Sequence, residues 1–172
     1  MVTTLPDSVD AWRMASSRRS FSGRLPVREL GRLGEILAGT AGEVGYALDF
    51  GCDEQRVCYV DVRADAALQV TCQRSLQPFA LPVAVSTRLG MIRHEHEEAG
   101  LPPNYEPLLV PSDGLIRPAD LIEDELLLAM PLVAINPDSS LQPVVDDGPA
   151  TDCAEESPFA ALRGLRKSNS RQ

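Results

Sequence analysis

The sequence predicts an α+β fold: an antiparallel β meander with two packed helices, a flexible linker and a short C-terminal amphipathic helix. Three observations carry this. Apolar spacing is three and four from Val27 to Leu37, then becomes two from Val44 onward. The alternating stretches that follow are joined by short polar links, as in strands that pair with their sequence neighbours. A second helical pattern closes the domain near residue 130, after which residues 136–157 contain Pro, Asp, Ser and Gly and no aromatic.

Residues 1–26 read as a polar lead with dispersed Pro, Ser and Arg. The first helix is expected from Pro26, which suits the first helical position, to a cap at Gly39, with Val27, Leu30, Leu33 and Leu37 as its apolar side. Gly31 and Gly34 weaken it, each by ~1 kcal/mol against Ala. Val44, Tyr46, Leu48 and Phe50 form the buried face of a first strand, and the turn GCDEQ (51–55) leads to a second, RVCYVDV (56–62). Leu68, Val70 and Cys72 share a face of a third strand, RSLQ (74–77) is a tight connection, and Phe79, Leu81, Val83 and Val85 mark a fourth. Pro82 falls on the outer face of that strand, as an edge or bulge requires.

Residues 91–104 have no period and read as a loop; YEPLLV (105–110) is a further strand and SDG (112–114) a turn. The strongest helix is 117–130, with a proline near its start and three acids in its first turns, where the helix dipole favours them. Pro131 ends it, and LVAI (132–135) is a candidate edge strand. The domain organisation expected is therefore one α+β domain over 1–135, a flexible acidic linker over 136–157 with a reach of roughly 25 Å, and a basic amphipathic segment over 158–172. In that last segment Ser157 caps, Pro158 opens the helix, and Phe159, Leu162 and Leu165 form its apolar side.

Composition narrows the function. No secretory signal is visible, and the longest apolar run is far short of the ~20 residues that span a bilayer, so a soluble cytoplasmic protein is expected, with no membrane partner. Cys52, Cys58, Cys72 and Cys153 are irregularly spaced and expected to stay reduced. Cys72 and Ser75 stand at C-x-x-C spacing with the second thiol missing, so no zinc site is expected, and Cys72 reads as a small core hydrophobe, as does Cys58. His94 and His96 lie in an acidic aperiodic loop and read as solvated. No nucleophile elbow, phosphate loop or metalloprotease motif is present, so neither an enzyme, a cofactor nor a small-molecule substrate is expected. Charge is segregated: residues 94–157 hold fifteen acids and one arginine, while 158–172 hold four basic residues and no acid. A basic partner fits the middle of the chain, and anything anionic fits the Arg-rich N-terminal third or the tail.

On the 117–130 helix, at 100° per residue, Glu125 falls inside the apolar arc, between Leu121 and Ala129, while Glu123 and Asp124 fall outside it. Glu125 is then either a buried carboxylate held by an arginine or a backbone donor, or a rim residue whose head reaches water. Glu123 and Asp124 are left as candidate partner contacts.

Three blocks carry a resemblance. VTCQRSLQPF (70–79), LPPNYEPLLVPSDGLIRPADLIEDELLLAMPLVAINPD (101–138) and SPFAALRGLRK (157–167) resemble, in order and spacing, the YceD family, the large ribosomal RNA subunit accumulation proteins. Many members have C-x-x-C at the first block; Ser75 departs from it, which leaves the backbone turn and Arg74 as what that block contributes. The resemblance implies a non-enzymatic role in synthesis, processing or stability of 23S ribosomal RNA. The partner implied is a large-subunit ribosomal protein or pre-ribosomal RNA. Candidate partner contacts are Glu123, Asp124, Arg74, Pro158, Phe159, Leu162, Arg163, Arg166 and Lys167, with Cys72 and Glu125 structural. The oppositely charged middle and tail equally allow the tail to fold back on its own domain.

Overall fold

The computed structural model describes residues 5–139. The elements run β1 (Val9–Asp10), α1 (Ala11–Ser16), β2 (Ser20–Pro26), α2 (Gly31–Ile36), β3 (Glu43–Cys52), β4 (Cys58–Thr71), β5 (Pro78–Ile92), β6 (Glu106–Leu109), β7 (Leu115–Ile116) and α3 (Pro118–Ala129). Strands β2 to β6 form one sheet in sequence order, antiparallel except where β6 pairs parallel with β5, and β1 pairs with β7 in a two-stranded ribbon. The expected α+β meander is present, with one parallel strand added at its edge.

Period two explains the layering. Tyr46, Leu48 and Phe50 on β3 pair across to Ala64, Val62 and Val60 on β4, Val44 pairs to Leu25 on β2, and all are buried on one face. α1 and α3 pack on that face, and α2 packs on α3. Leu68, Val70 and Cys72 are buried together as expected, and Pro82 is exposed. The opposite face is open to solvent.

Several expectations are corrected. The stretches read as second and third strands are one 14-residue strand, β4, because Ala64, Ala66 and Leu68 carry the alternation across the intervening residues. The lead before Pro26 is not featureless: Ala11 and Ala15, one helical turn apart, are buried, and Asp10 caps α1 by accepting from the Arg13 N–H at 3.0 Å. A six-residue helix is too short to show a period. Pro26 ends β2, opposite Glu43, so the first packed helix begins only at Gly31, after a 3-10 turn at Val27–Glu29. β5 continues to Ile92, and residues 132–135 form no strand. Cys52 and Cys58, expected to stay reduced, are opposite one another across the β3–β4 hairpin and are joined as a disulfide. The linker beyond Ser139 and the 158–172 segment lie outside the described residues.

Candidate functional site

Cys72 ends the third alternating stretch in a tight turn, where Leu76 takes a positive φ of 57° and its N–H returns to the Cys72 carbonyl at 2.8 Å. The thiol is fully buried, yet it is the hub of two segments. The N–H groups of Ser75 and Asn136 point to its Sγ at 3.5 and 3.3 Å, and the Ser139 Oγ lies 3.5 Å away. Hydrogen bonds from Ser139 and Ser75 hold the thiol down to about 6, against burial, which pushes it up. Arg74 closes the contact by donating to the Asn136 carbonyl at 2.9 Å and to Ser139 Oγ at 2.7 Å. The turn therefore clasps residues 136–139 by hydrogen bonds. Among the described residues no three His, Cys, Asp or Glu side chains converge as a metal site would require.

On α3 the acids are distributed differently from the helical arc. Glu123, placed outside that arc, is buried: it accepts from the Leu33 N–H at 2.8 Å and from Arg32 Nε at 3.1 Å. Its neighbour Asp124 is half exposed and accepts from Arg32 Nη1 at 2.6 Å. The arc misplaced Glu123 because α3 is covered on two sides, by the sheet and by α2. Glu125 is buried against the sheet, but among the described residues neither an arginine nor a backbone N–H holds it. Burial pushes its carboxyl up; the Thr87 hydroxyl of β5 pulls it down, and Glu106 and Asp124 add repulsion.

A third place was not singled out from the sequence. Trp12 on α1 is half-buried and lines two adjoining grooves, of about 780 and 520 Å³. Arg13, Arg93 and His94 line the larger and Arg56, Arg93 and His96 the smaller. The Arg93 guanidinium lies 4.6 Å from the centre of the indole ring, a cation–π stack, and the His94 and His96 rings stack 5.4 Å apart. Gly114, at φ 75°, brings its backbone beside the indole; a Cβ there would lie 3.5 Å from it. None of the ion pairs among the described residues uses Arg13, Arg56 or Arg93. The signal available in the sequence was the pair Trp12-Arg13, a lone tryptophan beside a cation in an otherwise polar stretch.

The solvent face of the sheet behaves in the opposite way. Arg24 pairs with Glu43 at 3.4 Å, Arg63 with Asp49 at 2.7 Å, and Arg88 with both oxygens of Asp61 at 2.6 Å. Arg88 also lies 4.1 Å from the centre of the Tyr59 ring, and Asp61 holds its guanidinium firmly protonated. Gly45, Ala47, Ala67 and Ala84 line a shallow trough of about 930 Å³ together with Arg24, Glu43 and Arg63. Every cation named on this face has its carboxylate.

Of the residues expected to meet a partner, the structure brings Arg74 to the 136–139 loop and ties Asp124 to Arg32. Pro158, Phe159, Leu162, Arg163, Arg166 and Lys167 lie outside the described residues. No described helix is long and apolar enough to cross a membrane.

Comparison with known proteins adds the family. The model described as "Large ribosomal RNA subunit accumulation protein YceD" matches residues 60–166. A Haemophilus influenzae protein of that name is 26% identical over 168 residues, covering 95% of this chain and 97% of its own. No solved structure matches the chain. The matched region begins inside β4 and takes in the Cys72 turn and all of α3, well over half of the sequence: the chain belongs to the YceD family of large ribosomal RNA subunit accumulation proteins.

Proposed function

We propose that this protein supports accumulation of large-subunit 23S ribosomal RNA as a non-enzymatic cytoplasmic factor, by binding a ribosomal component during assembly. The observation that carries the reading is the near full-length likeness to a protein named for that role. Two components fit the charge pattern, the RNA itself and a basic large-subunit ribosomal protein. The structure favours the RNA on one point: Arg13, Arg56 and Arg93 line the grooves at Trp12 without an ion-pair partner among the described residues, whereas the α3 acids Glu123 and Asp124 are engaged by Arg32. Glu95, Glu98 and Glu106 stay exposed and are where a basic protein would dock. The tail residues Phe159, Leu162, Arg163, Arg166 and Lys167 are proposed as a second contact.

The test is deletion of the gene followed by measurement of 23S against 16S rRNA. A fall in 23S that the intact gene restores is expected; an unchanged ratio overturns the reading. Affinity capture with and without nuclease separates the components. Large-subunit material lost on nuclease treatment marks an RNA contact, and material retained marks a protein contact.

A further inference from the structure

We propose that the grooves flanking Trp12 are a binding site for unpaired bases of single-stranded RNA, with the indole as the stacking surface and Arg13, Arg56 and Arg93 on the phosphates. This rests on the reading above for its class of partner, and it names the site.

Three features of the surface point to a nucleotide. The first is planarity. The Arg93 guanidinium already lies over the Trp12 ring, 4.6 Å from its centre, and a base can either join this contact on the guanidinium or replace it on the ring, since bases stack on both aromatic and guanidinium planes. The second is charge. Three arginines converge on the two grooves with no ion-pair partner among the described residues, and His94 and His96 stand beside them.

The third concerns the acids. Asp10 and Asp113 line the larger groove and Glu97 the smaller, which would oppose an anion. Each is committed to a backbone N–H: Asp10 to Arg13, Asp113 to Leu115 and Glu97 to Arg93. They shape the loops, and none of them is ion-paired with the three arginines among the described residues. An acidic peptide would satisfy the arginines equally well, but it has no planar group for the indole. Duplex RNA presents phosphates without free bases. The observations therefore favour a single strand.

The chain has one tryptophan, so its emission reports on this site alone. The full-length protein is titrated with a twelve-nucleotide single-stranded RNA, the same sequence as a blunt duplex, and polyglutamate. Quenching by the single strand is expected, with at least about tenfold weaker binding of the duplex and no quenching by polyglutamate. Three phosphate contacts give a slope of about −2 in log affinity against log salt. Trp12→Ala and Arg93→Ala should each weaken binding of labelled single strand by about tenfold. Arg93 is exposed, so its variant serves if the half-buried Trp12 proves necessary for folding. Arg63→Ala, on the opposite face and paired with Asp49, should change nothing.

Unquenched emission with single-stranded RNA overturns the proposal. So does equal quenching by polyglutamate, which would make this an acidic-protein surface, or an equal loss from Arg63→Ala. Failure here is separable from failure of the proposed function. A fall in 23S on deletion without any quenching removes the site and leaves the role; quenching with normal 23S levels does the reverse.

Discussion

Glu123 and Glu125 lie two residues apart on α3, are 5% and 6% exposed, and occupy opposite electrostatic settings. Glu123 points toward α2, where the Leu33 N–H and the Arg32 guanidinium meet it. Glu125 points toward the sheet, where Thr87 offers a hydroxyl and Glu106 and Asp124 offer repulsion. Burial alone is therefore not what a carboxylate costs or contributes. A carboxylate that joins two elements through a backbone N–H and a cation stabilises their packing; one facing a hydroxyl and two acids is a charge the fold must tolerate.

The largest effect expected from breaking this contrast is on the α2 side. Glu123→Ala leaves the buried Leu33 N–H without an acceptor and frees Arg32, and should cost about 3 kcal/mol of unfolding free energy in a denaturant titration. A loss below about 0.5 kcal/mol would mean that water replaces the carboxylate at that N–H and that the joint is not structural. Arg32→Met should destabilise less, because Leu33 still donates to Glu123 and the guanidinium it removes is half exposed. If Arg32→Met equals or exceeds Glu123→Ala, the cation and not the backbone donor holds the joint.

The smallest effect has the opposite sign. Because burial raises the Glu125 carboxyl, the folded state takes up its proton more readily than the unfolded chain does. Stability from this group is therefore lost as pH rises from the ordinary carboxylate range through the folded value, and the ionised form is a burden at neutral pH. Glu125→Gln removes that burden and should raise the melting temperature at pH 7, by less than about 1 kcal/mol in stability. The advantage should shrink toward about pH 4, where the carboxyl is largely protonated in both states. A variant that melts lower than the parent at pH 7 would show that the ionised carboxylate has a partner strong enough to outweigh its burial.

The same contrast recurs at larger scale between the sheet's open face and the Trp12 grooves. On the open face each named arginine meets an acid of the neighbouring strand, directly opposite for Arg88 and Asp61 and diagonally for Arg24 and Arg63. Around Trp12 the arginines come from α1, the β3–β4 turn and the end of β5, and the local acids serve backbone N–H groups instead. Regular pairing neutralises a surface, whereas the meeting of irregular segments leaves charge available for a ligand.

Much of this was legible in the residues. Alternation at Val44–Phe50 and Leu68–Cys72 specified half-buried strands, since a one-residue slip would turn every side chain outward. Short links specified their antiparallel order, and Glu125's place among leucines put it inside the apolar arc while leaving burial and a water-reaching rim position both open, a choice the packing settled as burial. The three blocks spread over the chain showed the family. What stayed hidden was short or non-local. α1 has too few residues for a period, and β4 looked like two strands because Arg63 and Asp65 interrupt its apolar run with solvent-facing charges. Cys52 and Cys58 became a pair only once the hairpin register set them opposite.

By itself the sequence determined what depends on neighbours along the chain: the alternating faces of β3 and β5 and of both ends of β4, the long helix and its apolar side, the segregation of charge, and the family likeness; β2, inside the polar lead, it did not. Tertiary structure alone decided which partner each charged or aromatic group met. Arg32 reaches Glu123 from 91 positions away, and Arg93 reaches Trp12 from the far end of β5. The physical reason is that periodicity records only which side of an element avoids water. A helix covered on two sides, or a ring lying between two grooves, has its surroundings set by elements that local spacing does not describe.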